Sequence, residues 1–403
     1  MNDEKLLEFA LCGNYESEFN PYNAVKDVRT HQILLSIHQS KKTAAQIAAA
    51  LNLDSDVVNR QLSELRRYGL IVQLKEAEQD WYRPNFPLIT AKDYQKLQPE
   101  LDNLTTLLVQ TTIELLPEIE SELHNLQFVK AGYDAPDIAY IVIGGFTFDY
   151  GGLAFMKSEN LMTVTKEMPG GRYVFAGFEA SIFELKPTWM WGHTAQFDQF
   201  VYITHGKLPI HGGRQAFPDL FWAWEKLLTG NEKPHIEAKA REIGAILHAL
   251  VYEPQTIDQL HKHTQQPKFT LTYNLALLKQ LEYIGYTQKN DATYVTLKRP
   301  VLLPNDLQHI QKISGTLLSR LKAKGLMKHY QNLQEIYQQT STAQYHIDFK
   351  ETFNMLYHSV FEKATNTLIE TGNITQPPLR NDGVNYSPLM IILEKNTFEN
   401  PFL

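Results

Sequence analysis

The sequence predicts a mainly α-helical chain with an α+β insertion. One helix–helix–helix–hairpin unit is used twice, each copy is followed by a long helix, and the copies flank an aromatic-rich α+β module. Three observations carry this. Pro87-Leu88-Ile89-Thr90-Ala91-Lys92-Asp93-Tyr94-Gln95 resembles Pro300-Val301-Leu302-Leu303-Pro304-Asn305-Asp306-Leu307-Gln308, and two similar stretches in the same order indicate a duplicated unit. Upstream, Leu62 to Ile71 resembles Leu278 to Thr287, with Gly69 matched to Gly285 and a gap of about three residues needed between the two blocks. Finally, 18 of the 45 aromatic residues, and four of the five tryptophans (Trp189, Trp191, Trp222 and Trp224), fall between Ile138 and Pro234.

The elements follow in order. Val25, Val28, Ile33, Leu34, Leu35 and Ile37 mark an amphipathic helix from Ala24 to Ser40. A short helix begins at Thr43, with Ile47 and Leu51 inward. Asn52-Leu53-Asp54 makes a turn, and Ser55 caps a third helix that Gly69 stops. Leu70–Leu74 and Trp81–Pro84 then read as a hairpin around a polar tip. The second copy gives helices over 237–251, 256–263 and 270–284, a stop at Gly285, and a hairpin turning near Asn290-Asp291. Leucine stripes through Leu97–Leu123 and Leu307–Leu333 predict the long helices. In the middle, 139–143, 172–175 and 199–203 read as strands, punctuated by the pairs Gly144-Gly145, Gly151-Gly152, Gly170-Gly171 and Gly212-Gly213 as turns. The expected domains are therefore 1–90, a helical linker at 91–137, the aromatic module at 138–234, the second unit at 235–299 and a helical region at 300–403.

Composition bounds the function. The chain has 403 residues, 43% hydrophobic and 21% charged, which excludes disordered and collagen-like classes. No unbroken apolar run of about 18 residues is present, so no membrane partner is expected. The N-terminus lacks a signal pattern, and the cytoplasm is the expected compartment. Cys12, as the single cysteine, excludes an intrachain disulfide and a multi-thiolate metal cluster. The net charge is −7, but it is unevenly spread. Residues 24–90 and 236–299 each carry +2, leaving −11 for the remainder.

Helix, short helix, turn, third helix and hairpin is the winged helix-turn-helix order. The stretch Thr43-Ala44-Ala45-Gln46-Ile47 through Leu65-Arg66-Arg67-Tyr68-Gly69-Leu70-Ile71 resembles the ArsR/MarR-like winged-helix transcriptional regulators. The second copy, from Thr256-Ile257-Asp258-Gln259-Leu260 to Gly285, is a weaker match. The resemblance implies a third helix in the DNA major groove and a wing on the backbone or minor groove. Carried onto this chain, it implies base contacts from Ser55, Asn59, Arg60 and Ser63, with Asn59 suited to adenine and Arg60 to guanine. Arg66, Arg67 and Arg83 would hold phosphates. In the second copy the corresponding candidates are Lys268, Thr270, Thr272 and Tyr273, with Lys279 beside them. That copy is either a second DNA reader or a structural counterpart. Double-stranded DNA is thus the implied partner, met by a monomer acting as a pseudo-dimer or by a homodimer.

The remaining chemistry is sparse. ArsR relatives that sense metals use cysteine pairs, which this chain lacks. Cys12 reads as a small buried hydrophobe or a redox-sensing thiol. His193, His205 and His211 cluster in the aromatic module without the spacing of a zinc site. No phosphate loop, nucleophile elbow or catalytic constellation is present, so no enzyme activity, metal or cofactor is expected. The aromatic module reads either as a compact core or as a pocket for a small apolar or aromatic ligand, walled by Tyr150, Phe175, Phe178, Trp189, Trp191 and Tyr202. The sequence therefore predicts a cytoplasmic transcriptional regulator with a ligand sensor; the alternatives are a protein–protein scaffold or a metal-dependent enzyme.

Overall fold

A computed structural model describes residues 6–15, 19–133, 136–185, 188–209, 233–377 and 386–393. The chain is mainly helical with several small sheets. It opens with β1 (Leu7–Tyr15) and a short turn of 3-10 helix (Pro21–Val25). α1 (Val28–Gln39) follows, then β2 (Lys42–Thr43), α2 (Ala44–Leu51), α3 (Ser55–Arg67), β3 (Ile71–Glu76) and β4 (Gln79–Pro84). β2, β4 and β3 form a three-stranded sheet in that order. Next come β5 (Leu88–Ile89), α4 (Ala91–Leu123), α5 (Gln127–Lys130) and α6 (Ile138–Ser158). Four strands follow: β6 (Glu167–Met168), β7 (Gly171–Glu179), β8 (Thr188–Phe197) and β9 (Phe200–Pro209).

The second copy comprises α7 (Lys233–Leu250), β10 (Gln255–Thr256), α8 (Ile257–Thr264), α9 (Lys268–Gln280), β11 (Ile284–Lys289) and β12 (Ala292–Leu297). Its sheet order is β10-β12-β11, which repeats that of the first copy. The chain finishes with β13 (Val301–Leu302), α10 (Pro304–Ala323), α11 (Leu326–Tyr337), α12 (Phe349–Glu370) and β14 (Tyr386–Ile392).

One offset relates the two copies without a gap. α3 begins at Ser55 and α9 at Lys268, a shift of 213 (268 − 55). The same shift carries the capping box of α2 onto that of α8. Thr43 and Gln46 satisfy each other's backbone N–H groups at one helix start, Thr256 and Gln259 at the other. The residue after each short helix is left-handed, Asn52 at φ 50° and Gln265 at φ 56°. The expected match of Gly69 with Gly285 is therefore corrected. Gly69, at φ 68°, corresponds to Glu282, at φ 61°, and no three-residue gap is needed. Glycine fits that left-handed position at least cost, but the second copy fills it with glutamate. The cap of α3 also differs from expectation: Asp54, not Ser55, accepts the first-turn N–H, from Asp56 at 2.7 Å.

The repetition extends to the outer sheets. Leu88 of β5 pairs in parallel with Gly177 of β7, and Val301 of β13 with Met390 of β14, again 213 apart on both sides. β1 runs antiparallel to β7, and β9 antiparallel to β14. Each half of the chain thus places a strand before its three-helix unit, a short strand after it, and a distant strand between those two.

Contacts gather the chain into two compact units. One comprises Met1–Leu107, Leu153–Pro187 and Lys324–Val360; the other comprises Leu108–Gly152, Thr188–Ala323 and Phe361–Leu403. Both draw on both halves of the sequence, and segment 138–234 contributes to both. In the first unit, Asp93 Oδ2 accepts from Thr90 Oγ1 at 3.0 Å, from the Ser341 N–H at 3.2 Å and from the Ser341 hydroxyl. In the second, Asp306 accepts from the N–H groups of Leu303 at 2.7 Å and Gln127 at 2.9 Å. The paired aspartates of the repeat therefore each anchor a backbone N–H contributed by the other half of the chain.

The first unit's core joins its three helices to its outer sheet. Ile33, Leu34, Ile37, Ile47, Val58, Leu62 and Leu65 pack with Leu7 of β1, Phe86 and Phe175 of β7. Each such buried side chain stabilises by about 1.5–3 kcal/mol, so the three-helix assembly and the sheet hold each other in place.

Residues 139–143, expected as a strand, are helical. α6 is continuous, and its central stretch, Ile141–Gly151, is a π-helix with Gly144 and Gly145 inside it rather than at a turn. A short apolar run does not distinguish a buried strand from a buried helix. By length and composition α6 is also apolar enough to cross a membrane, although no unbroken apolar run marks it, and 67% of it is buried within the protein.

Candidate nucleic-acid interface

α3 is amphipathic because Val58, Leu62 and Leu65 recur at helical spacing and enter the core. The opposite face leaves Ser55, Asp56, Asn59, Arg60, Ser63, Arg66 and Arg67 exposed. Asn59, Ser63 and Arg67 lie at successive i, i+4 positions on this face. Arg67 is partly engaged: its guanidinium lies 5.4 Å from the Phe19 ring and 5.6 Å from that of Tyr68, with Glu64 at 3.7 Å. Arg29 grips Asp27 and, chiefly by that hydrogen bond, holds its carboxyl below the usual range; Arg60 adds to this through its charge. Arg83 is half-buried and donates to the carbonyls of Tyr345 at 2.6 Å and Pro84 at 3.3 Å. The structure thus gathers Ser55, Asn59, Arg60, Ser63, Arg66 and Arg67 on one helix and sets Arg83 apart from them.

Acidic groups flank this face. Asp54 and Asp56 sit at the N-terminus of α3. The tip of its hairpin carries Glu76, Glu78 and Asp80 against Lys75, with Glu76 paired to Lys41.

In α9, Leu271, Leu275 and Leu278 take the core positions of Val58, Leu62 and Leu65. Lys268, Thr272 and Tyr273 are exposed, and Thr270 is half-buried. The sequence reading omitted Phe269, which is 85% exposed and stands where α3 has Asp56. The 213 offset is the signal that finds it; matching Gly69 to Gly285 hides it. Lys268 pairs with Asp258 at 2.8 Å and, chiefly through that hydrogen bond, holds its carboxyl below the ordinary range. The ammonium of Lys239 lies 5.5 Å from the Tyr273 ring, and that of Lys279 5.3 Å from the Tyr286 ring.

The residues expected to wall a ligand pocket divide between the compact units. Phe175 and Phe178 are buried on β7 in the first unit; Tyr202 is buried on β9, and Tyr150 half-buried on α6, in the second. Trp189 and Trp191 lie on β8, with side chains outside the described residues, as do Trp222 and Trp224 altogether. A cavity of about 450 Å³ occurs elsewhere in the second unit, lined by Phe200, Ala245, His248, Ala249, Tyr252 and His263 among others.

Of the three clustered histidines, His211 and the side chain of His193 lie outside the described residues. His205 is fully buried on β9, its Nε2 3.6 Å from Asp149 Oδ2 of α6. Burial pushes the Asp149 carboxyl up to about 8, against the opposing effect of the hydrogen bond donated by the Gly192 N–H. A Cβ at Gly192 would stand 2.7 Å from Asp149 Oδ2 and 2.6 Å from Tyr150 Oη, so glycine is required for that approach. Among the described residues, no group of three or more His, Cys, Asp or Glu side chains is placed to hold a metal ion.

No protein-family model and no curated protein matches the chain. Among solved structures, one match is a homodimeric winged helix-turn-helix DNA-binding domain from Mycobacterium bovis, described as a possible ArsR-family transcriptional regulator. It is 14% identical, with 25% of this chain and 93% of that one covered, at a TM-score of 0.13.

Proposed function

We propose that the chain is a DNA-binding transcriptional regulator in which two winged-helix units in one polypeptide act as the halves of a pseudo-dimer. The observation that carries this is the outward row of each third helix. Asn59, Arg60, Ser63 and Arg66 on α3, and Lys268, Tyr273 and Lys279 on α9, have exposed side chains above a row buried in the core. Donors and cations on a helix flanked by a hairpin suit a major groove lined by base edges and phosphates. Because the two rows differ at every outward position, the preferred operator has two unequal half-sites. In this reading the protein binds rather than catalyses, needs no cofactor and works in the cytoplasm.

For control by a small ligand, the candidate place is an open cleft of about 450 Å³ in which Phe200, Ala245 and Ala249 stand beside polar His248, Glu253 and Gln255. His263, one of its lining residues, belongs to α8, the helix preceding α9. A ligand there regulates only if it binds one arrangement of the unit more tightly than another. The scaffold reading retains one specific observation, the acidic hairpin tip of the first unit, which suits a basic protein surface better than phosphate. Fluorescence anisotropy with duplex selected by the full chain tests the main proposal. Arg60→Glu with Arg67→Glu should weaken binding strongly and remove the preference for the half-site read by α3; undiminished binding would overturn it.

A further inference from the structure

We propose that the second winged-helix unit reads thymine methyl groups through Phe269 and Tyr273. This rests on the DNA-binding reading above. Large exposed hydrophobic side chains on a soluble protein are informative when they cluster. Of the six large hydrophobic side chains exposed among the described residues, five belong to this one unit, namely Tyr252, Ile257, Phe269, Tyr273 and Tyr286, with Phe269 the most exposed at 85%; the sixth, Ile113, lies on α4. Residues 28–84, its counterpart, contain none of that class. At the 213 offset, Phe269 and Tyr273 replace Asp56 and Arg60 of α3.

The surroundings favour a polyanion as the occupant. α9 carries Lys268 and Lys279 and no acidic residue along its whole length. No side chain caps its N-terminus, whereas Asp54 caps α3 and Asp56 follows it. The carboxylate of Asp258 is held by the Lys268 ammonium at 2.8 Å rather than capping the helix, which leaves the first-turn amides to a phosphate. The hairpin tip beside it, Lys289-Asn290-Asp291-Ala292, is neutral, where its counterpart is acidic.

The chemistry then selects the base. A phenyl ring has no donor or acceptor, so in a major groove it recognises the C5-methyl of thymine by contact. Thr272 turns its hydroxyl back to the Lys268 carbonyl at 2.9 Å, so its outward contribution is not a donor to bases. Phe269 and Tyr273 are four residues apart, about 6 Å along the helix axis, close to two base steps. The half-site read by this unit should therefore hold two thymines separated by one base.

The test uses the full chain and a duplex enriched by it from a random pool, compared with the same duplex carrying deoxyuridine for thymine in one half-site at a time. This change removes only the methyl. In one half-site, wild-type binding should weaken by about fourfold per contacted methyl, the effect of one buried carbon. Phe269→Ala, at a position too exposed to matter for folding, should weaken binding to the thymine duplex and show a smaller thymine-to-uracil difference. Sequence-specific binding with no methyl effect, or with an undiminished effect in Phe269→Ala, overturns this inference while leaving the DNA-binding reading intact. No enriched sequence at all overturns both.

Discussion

Asp149→Asn should remove a fall in stability as the pH is raised from 6.5 to 8. The carboxyl of Asp149 is buried on α6, and burial pushes it up to about 8 against an ordinary value of 3.8. Between those values the unfolded chain loses a proton that the folded chain keeps. The unfolded state then binds fewer protons, so stability declines with rising pH at about 1.4 kcal/mol per pH unit. Two histidines set the opposite limb. Burial pushes His38 and His358 down to about 4 from 6.5. Below 6.5 the unfolded chain gains protons that these folded imidazoles refuse, so stability is lost as pH falls from 6.5 towards 4. These three groups together place the optimum near pH 6.5. From there to pH 8 the Asp149 contribution amounts to about 2 kcal/mol. Asparagine keeps the shape and an acceptor for the Gly192 N–H, and it cannot ionise. Thermal unfolding at pH 6.5 and 8 is the assay: the wild-type midpoint should drop by several degrees more than that of Asp149→Asn. An equal drop in both proteins would refute the assignment of the alkaline limb to this carboxyl.

Three further substitutions test the packing. Thr43→Ala and Thr256→Ala each break a capping box and should each cost about 1 kcal/mol, seen as faster amide exchange in α2 and α8 respectively. Arg299 is 5% exposed and bonds to buried Asp137 at 3.1 Å and to Glu282 at 3.3 Å. Arg299→Ala leaves the Asp137 charge buried without its guanidinium and should cost about 3–5 kcal/mol, read as a lowered denaturant midpoint.

Local elements were legible in the sequence because their signals are local. Ile33 to Ile37, Ile47, Leu62 and Leu65 announced three short helices, and Asn290-Asp291 announced a turn that the chain makes with both residues at positive φ. The aligned Asp93 and Asp306 lie at the same offset of 213 as the two capping boxes. Glycine identity misled at one point, because the left-handed position filled by Gly69 is filled by Glu282 in the other copy. That three-residue error concealed Phe269 as the partner of Asp56. The strand expected at 139–143 failed because an apolar run buried on all sides lacks either periodicity. The assembly of each compact unit from both halves was illegible, since bonds such as Asp93 to Ser341 and Asp306 to Gln127 join positions far apart in sequence. Among the site residues, exposure on α3 followed from helical periodicity. The inward turn of Arg83 did not, because its partner is a carbonyl 262 residues away.

The central claim is sequence-specific DNA binding by the two third helices. It is tested most directly by selecting duplexes from a random pool with the purified full chain, then repeating the selection with Arg60→Glu and Arg67→Glu together. The wild-type chain should enrich a motif of two unequal half-sites, one of which is lost in the double variant. Failure to enrich any motif, or recovery of the unchanged motif by the variant, would contradict it.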